Sequence, residues 1–396
     1  MQGSPPPPDK TILYEDGSFL RFPQTRWSYS HMRQFGPTVE VQRGAGPLAV
    51  FPRNEQSDLD ALTVTLRDGR RVTWQDALDL SYTDGVVVVH RGAIVYERYF
   101  GAGGEHRAHI AFSVTKSFVG TLAALLADER LLDTAAPVTH YVPELARSAW
   151  GDASVRQVMD MTVGVDCSED YTDPGAGVYD MLRAAGAIPA PPGFPGPHTL
   201  CDYLRHVPKL GAHGEAFAYR TVNTEVLGWI LRRISGVSLA QLLSERIWQK
   251  LGAEHDAYLS VDRAGTELGG SGLSATLRDL ARFGEMIRQK GTFNGRQILP
   301  HTVVDDIERG ADPGHFARAK IYSHNLPRAS YRNMWWVTHN AHGAFTARGV
   351  HGQAIWIDPR AEMVVARFGS HHLAANIYLD PTLLPMYEAM AEHLLG

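Results

Sequence analysis

Two hairpin patterns, one early and one late in the chain, enclose a middle that reads as helical. The first runs Gly85–His90, turns at Arg91-Gly92 and returns over Ile94–Phe100; valines and alternating tyrosines make the strands and the glycine supplies the turn. The second runs His351–Asp358, turns at Pro359-Arg360 and returns over Glu362–Phe368. Between them, apolar stripes at helical period cover Asn223–Ser235 (Val226, Leu227, Ile230, Leu231, Ile234), ended by Gly236, and Ser238–Leu251. Ser154 reads as the N-cap of a helix over Val155–Met161, and further helices are expected over Ser274–Ile287 and Leu383–Leu395. Strands at both ends with helices between predict an α/β fold: one domain built from residues 55–133 and 266–396, an antiparallel sheet flanked by helices, with a helical domain inserted at 134–265. Residues 1–54, rich in proline, glycine and aromatics, read as an extended arm, and Asp58–Asp79 as holding a short amphipathic helix. Residues 168–197 are crowded with glycine and proline and read as a lid loop beside a site.

Chemistry concentrates where the first hairpin ends. Ser113-Val114-Thr115-Lys116 leads into the alanine-rich apolar run Val119–Leu126, which has the composition of a buried helix. Residues three apart share a helix face, so Lys116 can reach the Ser113 hydroxyl. Serine is inert at neutral pH until a base takes its proton, and an amine with a pKa of about 10.4 is a poor base until burial lowers it. A lysine in apolar sequence is costly unless it is used. Lysine is also scarce here, at Lys10, Lys116, Lys209, Lys250, Lys290 and Lys320 only. The pair therefore predicts a serine nucleophile with a lysine base, against the plainer alternative of a capping serine and a surface lysine.

Other classes are disfavoured. A net charge of -5 gives no reason to expect nucleic acid or an anionic membrane as partner. The 18 histidines are scattered without a His-Glu-x-x-His, and the spaced pairs His106/His109 and His339/His342 fall in segments that read as loops, so no metal and no cofactor are expected. Cys167 and Cys201 do not form a disulfide framework, although a bridge between them stays open. Met1-Gln2-Gly3-Ser4 followed by prolines does not read as a signal peptide, and no apolar run is long enough for a bilayer, so the expected address is cytoplasmic.

Three motifs together carry a family resemblance: Ser113-Val114-Thr115-Lys116, Tyr219 in Tyr219-Arg220-Thr221-Val222-Asn223, and Gly270-Ser271-Gly272-Leu273-Ser274. They resemble the penicillin-binding/class C β-lactamase superfamily of serine hydrolases. Glu169-Asp170-Tyr171-Thr172-Asp173-Pro174, Val138–Leu145, Met334-Trp335-Trp336 and Val350-His351-Gly352-Gln353 extend the likeness, from about Tyr82 to Phe368, toward its nylon-oligomer (6-aminohexanoate-dimer) hydrolases, with related carboxylesterases in the same superfamily. The resemblance implies a β-lactamase-like fold and an acyl-enzyme on Ser113, with Lys116 as base and Tyr219 passing a proton to the leaving group. It also implies an oxyanion hole from the backbone N–H groups of Ser113 and Val350, with Tyr171 closing from the lid. The substrate would be a small linear amide or short-chain ester, and a homodimer is what the likeness suggests. An alternative is a β-lactam- or peptide-binding sensor that is acylated with little turnover. The sequence departs from the pattern in places. Ala347-Arg348-Gly349 stands where β-lactamases have Lys-Thr-Gly, leaving Arg348 as the replacement cation, and Thr221 stands for asparagine. The acid that receives a substrate amine falls on Leu182, with Asp180 nearby, and another substrate-side position falls on Gly270.

Overall fold

A strand that is apolar at every position, rather than at alternate ones, is built to be covered on both faces. The computed structural model describes residues 6, 7, 10–319, 322 and 324–396. The strands that position the site are β1 (Thr38–Val41), β2 (Thr83–His90), β3 (Ala93–Tyr99), β4 (His109–Ile110), β5 (Ala257–Ser260), β6 (Leu273–Ala275), β7 (Ser330–Arg332), β8 (Trp335–Val337), β9 (Phe345–Gly349), β10 (Gln353–Asp358) and β11 (Met363–Gly369). The helices are α1 (Val114–Asp128), α2 (Gly177–Ala184), α3 (Thr221–Ser235), α4 (Leu277–Arg288) and α5 (Asp380–Leu395).

Seven strands form one antiparallel sheet in the order β7-β8-β9-β10-β11-β2-β3. The late hairpin is thereby joined to the early one, with Met363 opposite His90 and Phe368 opposite Gly85. Arg91 and Gly92, at φ +49° and +79°, make the left-handed turn that the strand twist favours. Alternation along β10 sends successive side chains to two helical layers. Trp356 meets Tyr387 of α5 with ring centroids 5.2 Å apart. Ile355 faces α4 so closely that a Cβ on Gly284 would lie 2.7 Å from its Cγ2. Helix α1 lies beside α4, Phe118 stacking on Phe283 with centroids 3.7 Å apart. It is buried without interruption from Val114 to Leu126, so its apolar residues fill every side rather than one stripe. Phe118, Leu122 and Leu125 each contribute roughly 1.5–3 kcal/mol through that burial.

The α/β fold with antiparallel strands flanked by helices is as expected, while several segments differ from their sequence reading. The arm is not simply extended: it makes helical turns at Ser18–Leu20, Thr25–Ser28 and Met32–Gln34, then pairs as β1 in a second sheet of order β1-β5-β6-β4. His109 belongs to β4 of that sheet rather than to a loop. Asp58–Asp79 holds a small hairpin, Thr63–Thr65 with Arg71–Thr73, before its helix begins at Trp74. Thr73 and Asp76 cap that helix reciprocally, and Gly69 at φ +85° makes the preceding turn, two local signals stronger than the amphipathic pattern. The stretch 168–197 contains α2. Ser274 lies in β6, and the helix expected from it begins at Leu277. The Ser238–Leu251 stripe winds as α-helix over Leu239–Leu243 and as π-helix over Ser244–Trp248. Cys167 and Cys201 are both free thiols, and no single helix among the described residues is long and apolar enough to cross a membrane.

The position of α1 depends on Gly120, where a Cβ would come within 2.1 Å of the Asn333 carbonyl oxygen and 2.6 Å of the Met334 Cβ. Gly120→Ala is therefore expected to destabilise the fold by about 1–3 kcal/mol, read as a lower urea midpoint. An unchanged midpoint would mean that α1 moves freely against the β7–β8 turn.

Candidate active site

Ser113 is the N-cap of α1, but its hydroxyl caps nothing. It lies 2.8 Å from the Lys116 Nζ, which also donates to the Gly270 carbonyl at 2.7 Å. A carbonyl only accepts, so one amine proton is committed to Gly270, and a neutral amine then turns its lone pair toward the serine. Lys116 is 1% exposed. Burial draws its pKa down to about 8, against the opposing charges of Glu169 and Glu225. The amine is thus a competent base near neutrality.

Glu225 is the partner that sequence reasoning missed. It projects from α3, and its carboxylate accepts the N–H groups of Gly269 at 2.8 Å and Gly270 at 2.9 Å. Burial pushes it above the ordinary carboxylate range, while those two bonds and the Lys116 charge pull it back. Glu225 fixes the loop whose carbonyl fixes Lys116. The available signal was an acid set directly before the apolar pair Val226-Leu227 in a helix otherwise read as core. Gly270 belongs to this support: it lines neither cavity described below, and a Cβ there would meet Thr221 Cγ2 at 2.5 Å and Glu225 Oε1 at 2.7 Å. Its expected place on the substrate side is not what the structure shows.

Tyr219 lies two residues before α3 in an aromatic box with Phe217, Tyr322, Tyr331 and Trp336, and the Lys116 Nζ lies 5.1 Å from its ring centroid. Burial raises its pKa well above the usual phenol value, partly offset by the Ser113 side chain. Thr221, standing where asparagine is usual, serves a second acid: its N–H and hydroxyl donate to Glu169 at 2.6 and 2.5 Å. The Tyr171 hydroxyl donates to Glu169 at 2.7 Å, tying the lid to α3.

Two cavities open from Ser113. The first, about 380 Å³, is lined by apolar groups including Phe19, Met32, Phe35, Ile110, Met181 and Leu182. The second, about 480 Å³, is lined by Glu169, Arg220, Asn325, Arg348, Asp380 and Tyr219 among others. Ser113, Tyr171 and Val350 border both, whereas Tyr219 borders only the second. Phe112 and His351 adopt φ of +44° and +62°, so the residue before Ser113 and the residue after Val350 are both left-handed. The Ser113 N–H makes no backbone hydrogen bond among the described residues.

The remaining sequence expectations fare unevenly. Asp180 does not reach the first cavity; it pairs with Arg183 at 2.8 Å on the outer part of α2, while Leu182 lines the wall. Arg348 is not a free cation, because Asp380 pairs with it beside the Trp336 ring. Away from the cleft, His106 lies 3.1 Å from His255, near Glu254, but the Glu254 carboxylate is held by Arg282 at 2.6 Å.

A buried serine–lysine pair at the head of a helix packed on an antiparallel sheet defines a class. The β-lactamase family profile matches residues 82–371, and the chain belongs to that family, with its β-lactamase/penicillin-binding-protein-like fold and as a hydrolase. Within it, the chain is 34% identical over 373 residues, 92% of each chain, to a 6-aminohexanoate-dimer hydrolase of Paenarthrobacter ureafaciens. A Bacillus anthracis structure described as a candidate 6-aminohexanoate-dimer hydrolase is 35% identical, with a TM-score of 0.88 over 98% of both chains. A family VIII carboxylesterase shares the fold, with a TM-score of 0.61 at 19% identity over 81% of this chain and 96% of that one.

The electrostatics predict a pH profile. With Lys116 as base, kcat/KM for an ester rises with pH through about 8, as the amine loses its proton. The Glu225 charge raises the Lys116 pKa, so Glu225→Gln is expected to move that limb to lower pH with a reduced plateau. A limb at the same pH in the variant would remove Glu225 from the electrostatics of the base.

Proposed function

We propose that the protein is a serine hydrolase that cleaves small linear amides or short-chain esters through an acyl-enzyme on Ser113. The observation that carries this reading is the fully buried Lys116 amine held 2.8 Å from the Ser113 oxygen by a fixed second acceptor. In the first half-reaction the Ser113 Oγ attacks the substrate carbonyl carbon while its proton passes to Lys116. The oxyanion lies between the Ser113 and Val350 N–H groups, where loss of one such fixed donor costs about 3–4 kcal/mol in other oxyanion holes. The carbon–nitrogen or carbon–oxygen bond then breaks, Tyr219 gives its proton to the departing atom, and the proton on Lys116 restores the tyrosine. In the second half-reaction water adds to the acyl ester with the same groups, releasing a carboxylic acid and regenerating the serine. Tyr171, bonded to Glu169 and bordering both cavities, closes over the bond being cut. The pairing of Arg348 with Asp380 removes the cation that would hold a β-lactam carboxylate, so the reading favours linear substrates.

Ser113→Ala is expected to lower p-nitrophenyl butyrate hydrolysis at least about a thousandfold with an unchanged melting temperature. Intact mass of the parent protein should show a butyryl adduct on the peptide containing Ser113. Full activity in the variant would refute the assignment.

A further inference from the structure

Which side of the scissile bond enters which cavity follows from Tyr219. The group that protonates the leaving atom borders only the second cavity, so in the serine hydrolase reading the leaving group departs there and the acyl group occupies the first. Among the described residues, the first cavity offers an acyl chain no Asp, Glu, Lys or Arg side chain along its lining. Leu182 lines its wall, and Asp180 is engaged outside by Arg183. A charged acyl end would be desolvated there without a partner.

The second cavity is different, and the charges that its described residues bring to it can be followed one by one. Asp380 is held by Arg348 and by the Asn325 amide at 3.2 Å. Glu169 accepts from Tyr171 and twice from Thr221. Asp170, at the exposed edge, accepts from the N–H and hydroxyl of Thr172 at 2.9 and 2.7 Å. Arg220 alone has no counter-charge: no carboxylate among the described residues pairs with it. Among the described residues its one hydrogen bond is from Nη1 to the Tyr219 carbonyl at 2.8 Å, which anchors one arm of the guanidinium beside the proton donor. Its Nε is buried without an acceptor. A half-buried guanidinium that borders a cavity and has no carboxylate partner among the described residues matches an incoming carboxylate by charge.

We propose that Arg220 recognises a carboxylate on the leaving group, so that the preferred substrates are N-acyl amino acids whose acyl part is uncharged and apolar. The proposal rests on the serine hydrolase reading. It differs from a preference for the linear 6-aminohexanoate dimer, which carries a free amine on its acyl side as well as a carboxylate on its leaving side.

Binding to the Ser113→Ala protein, measured by calorimetry, separates recognition from turnover. The ligands are N-hexanoyl-6-aminohexanoate, its neutral primary carboxamide, and the linear dimer. The acid is expected to bind at least about tenfold more tightly than the carboxamide, the range for a charge-assisted hydrogen bond, and more tightly than the dimer. Adding Arg220→Gln should erase the acid–carboxamide difference, and Arg220→Lys, which keeps the charge, should retain part of it; thermal melts verify that each variant is folded. Equal binding of acid and carboxamide, a preference that survives Arg220→Gln, a dimer that binds best, or no binding of any ligand would each overturn the proposal. If the Ser113 adduct with p-nitrophenyl butyrate still forms in the parent protein, the hydrolase reading survives that outcome; if the adduct is also absent, both fall.

Discussion

An amine without water around it must either find counter-charge or give up its proton, and the fold is arranged to hold Lys116 between those two states. Complete desolvation of an ammonium costs several kcal/mol. The offsetting groups come from four separate parts of the chain: the serine at the head of α1, the Glu169 carboxylate, the Glu225 carboxylate on α3 and the Gly270 carbonyl. None of these can shift without disturbing the amine, so the requirement passes outward. Glu225 must stay on α3, α3 must pack on α1, and α1 must be enclosed by the sheet and α4. The unbroken burial of α1 is the structural form of that requirement.

The backbone on either side of the cleft is held under tension. Phe112 and His351, each next to an amide proposed to bind the oxyanion, are both left-handed, and their rings lie 5.6 Å apart. Such conformations cost about 1–3 kcal/mol each for residues with side chains. That cost falls at the two residues that flank the proposed oxyanion amides, and it is met in the folded state.

The sheet hairpins and the Ser113–Lys116 pair were legible because their signals are local: valine runs, a glycine turn, a fixed helical spacing. Tyr219 was legible only through its family motif, since one tyrosine in sequence does not differ from a packing tyrosine. Glu225 was hidden because its function is to hold a loop distant in sequence, and no spacing reports a contact between α3 and Gly270. Arg348 was misleading for the same reason: its partner Asp380 opens the last helix, far from β9 in the chain. Asp180 and Leu182 were separated only once α2 existed, because a helix turns residues two apart to different sides where a loop does not. Charge pairing and side-chain direction are tertiary facts, and the substrate-side positions depended on them most.

The arm that precedes the first hairpin gives the architecture a further property. Phe19, Met32 and Phe35 line the first cavity, yet all three lie before residue 82, where the family match begins. Part of the wall of the first cavity therefore sits on a different stretch of polypeptide from the serine–lysine pair, joined to it through the pairing of β1 with β5 and through bonds such as that from the Ile110 N–H to the Tyr29 carbonyl. Changes in the arm can reshape what fits without touching the buried amine, whose neighbours all lie elsewhere. Selection is thus free to alter diet and chemistry on separate schedules: a fixed reactive centre, and beside it a wall that can be refitted.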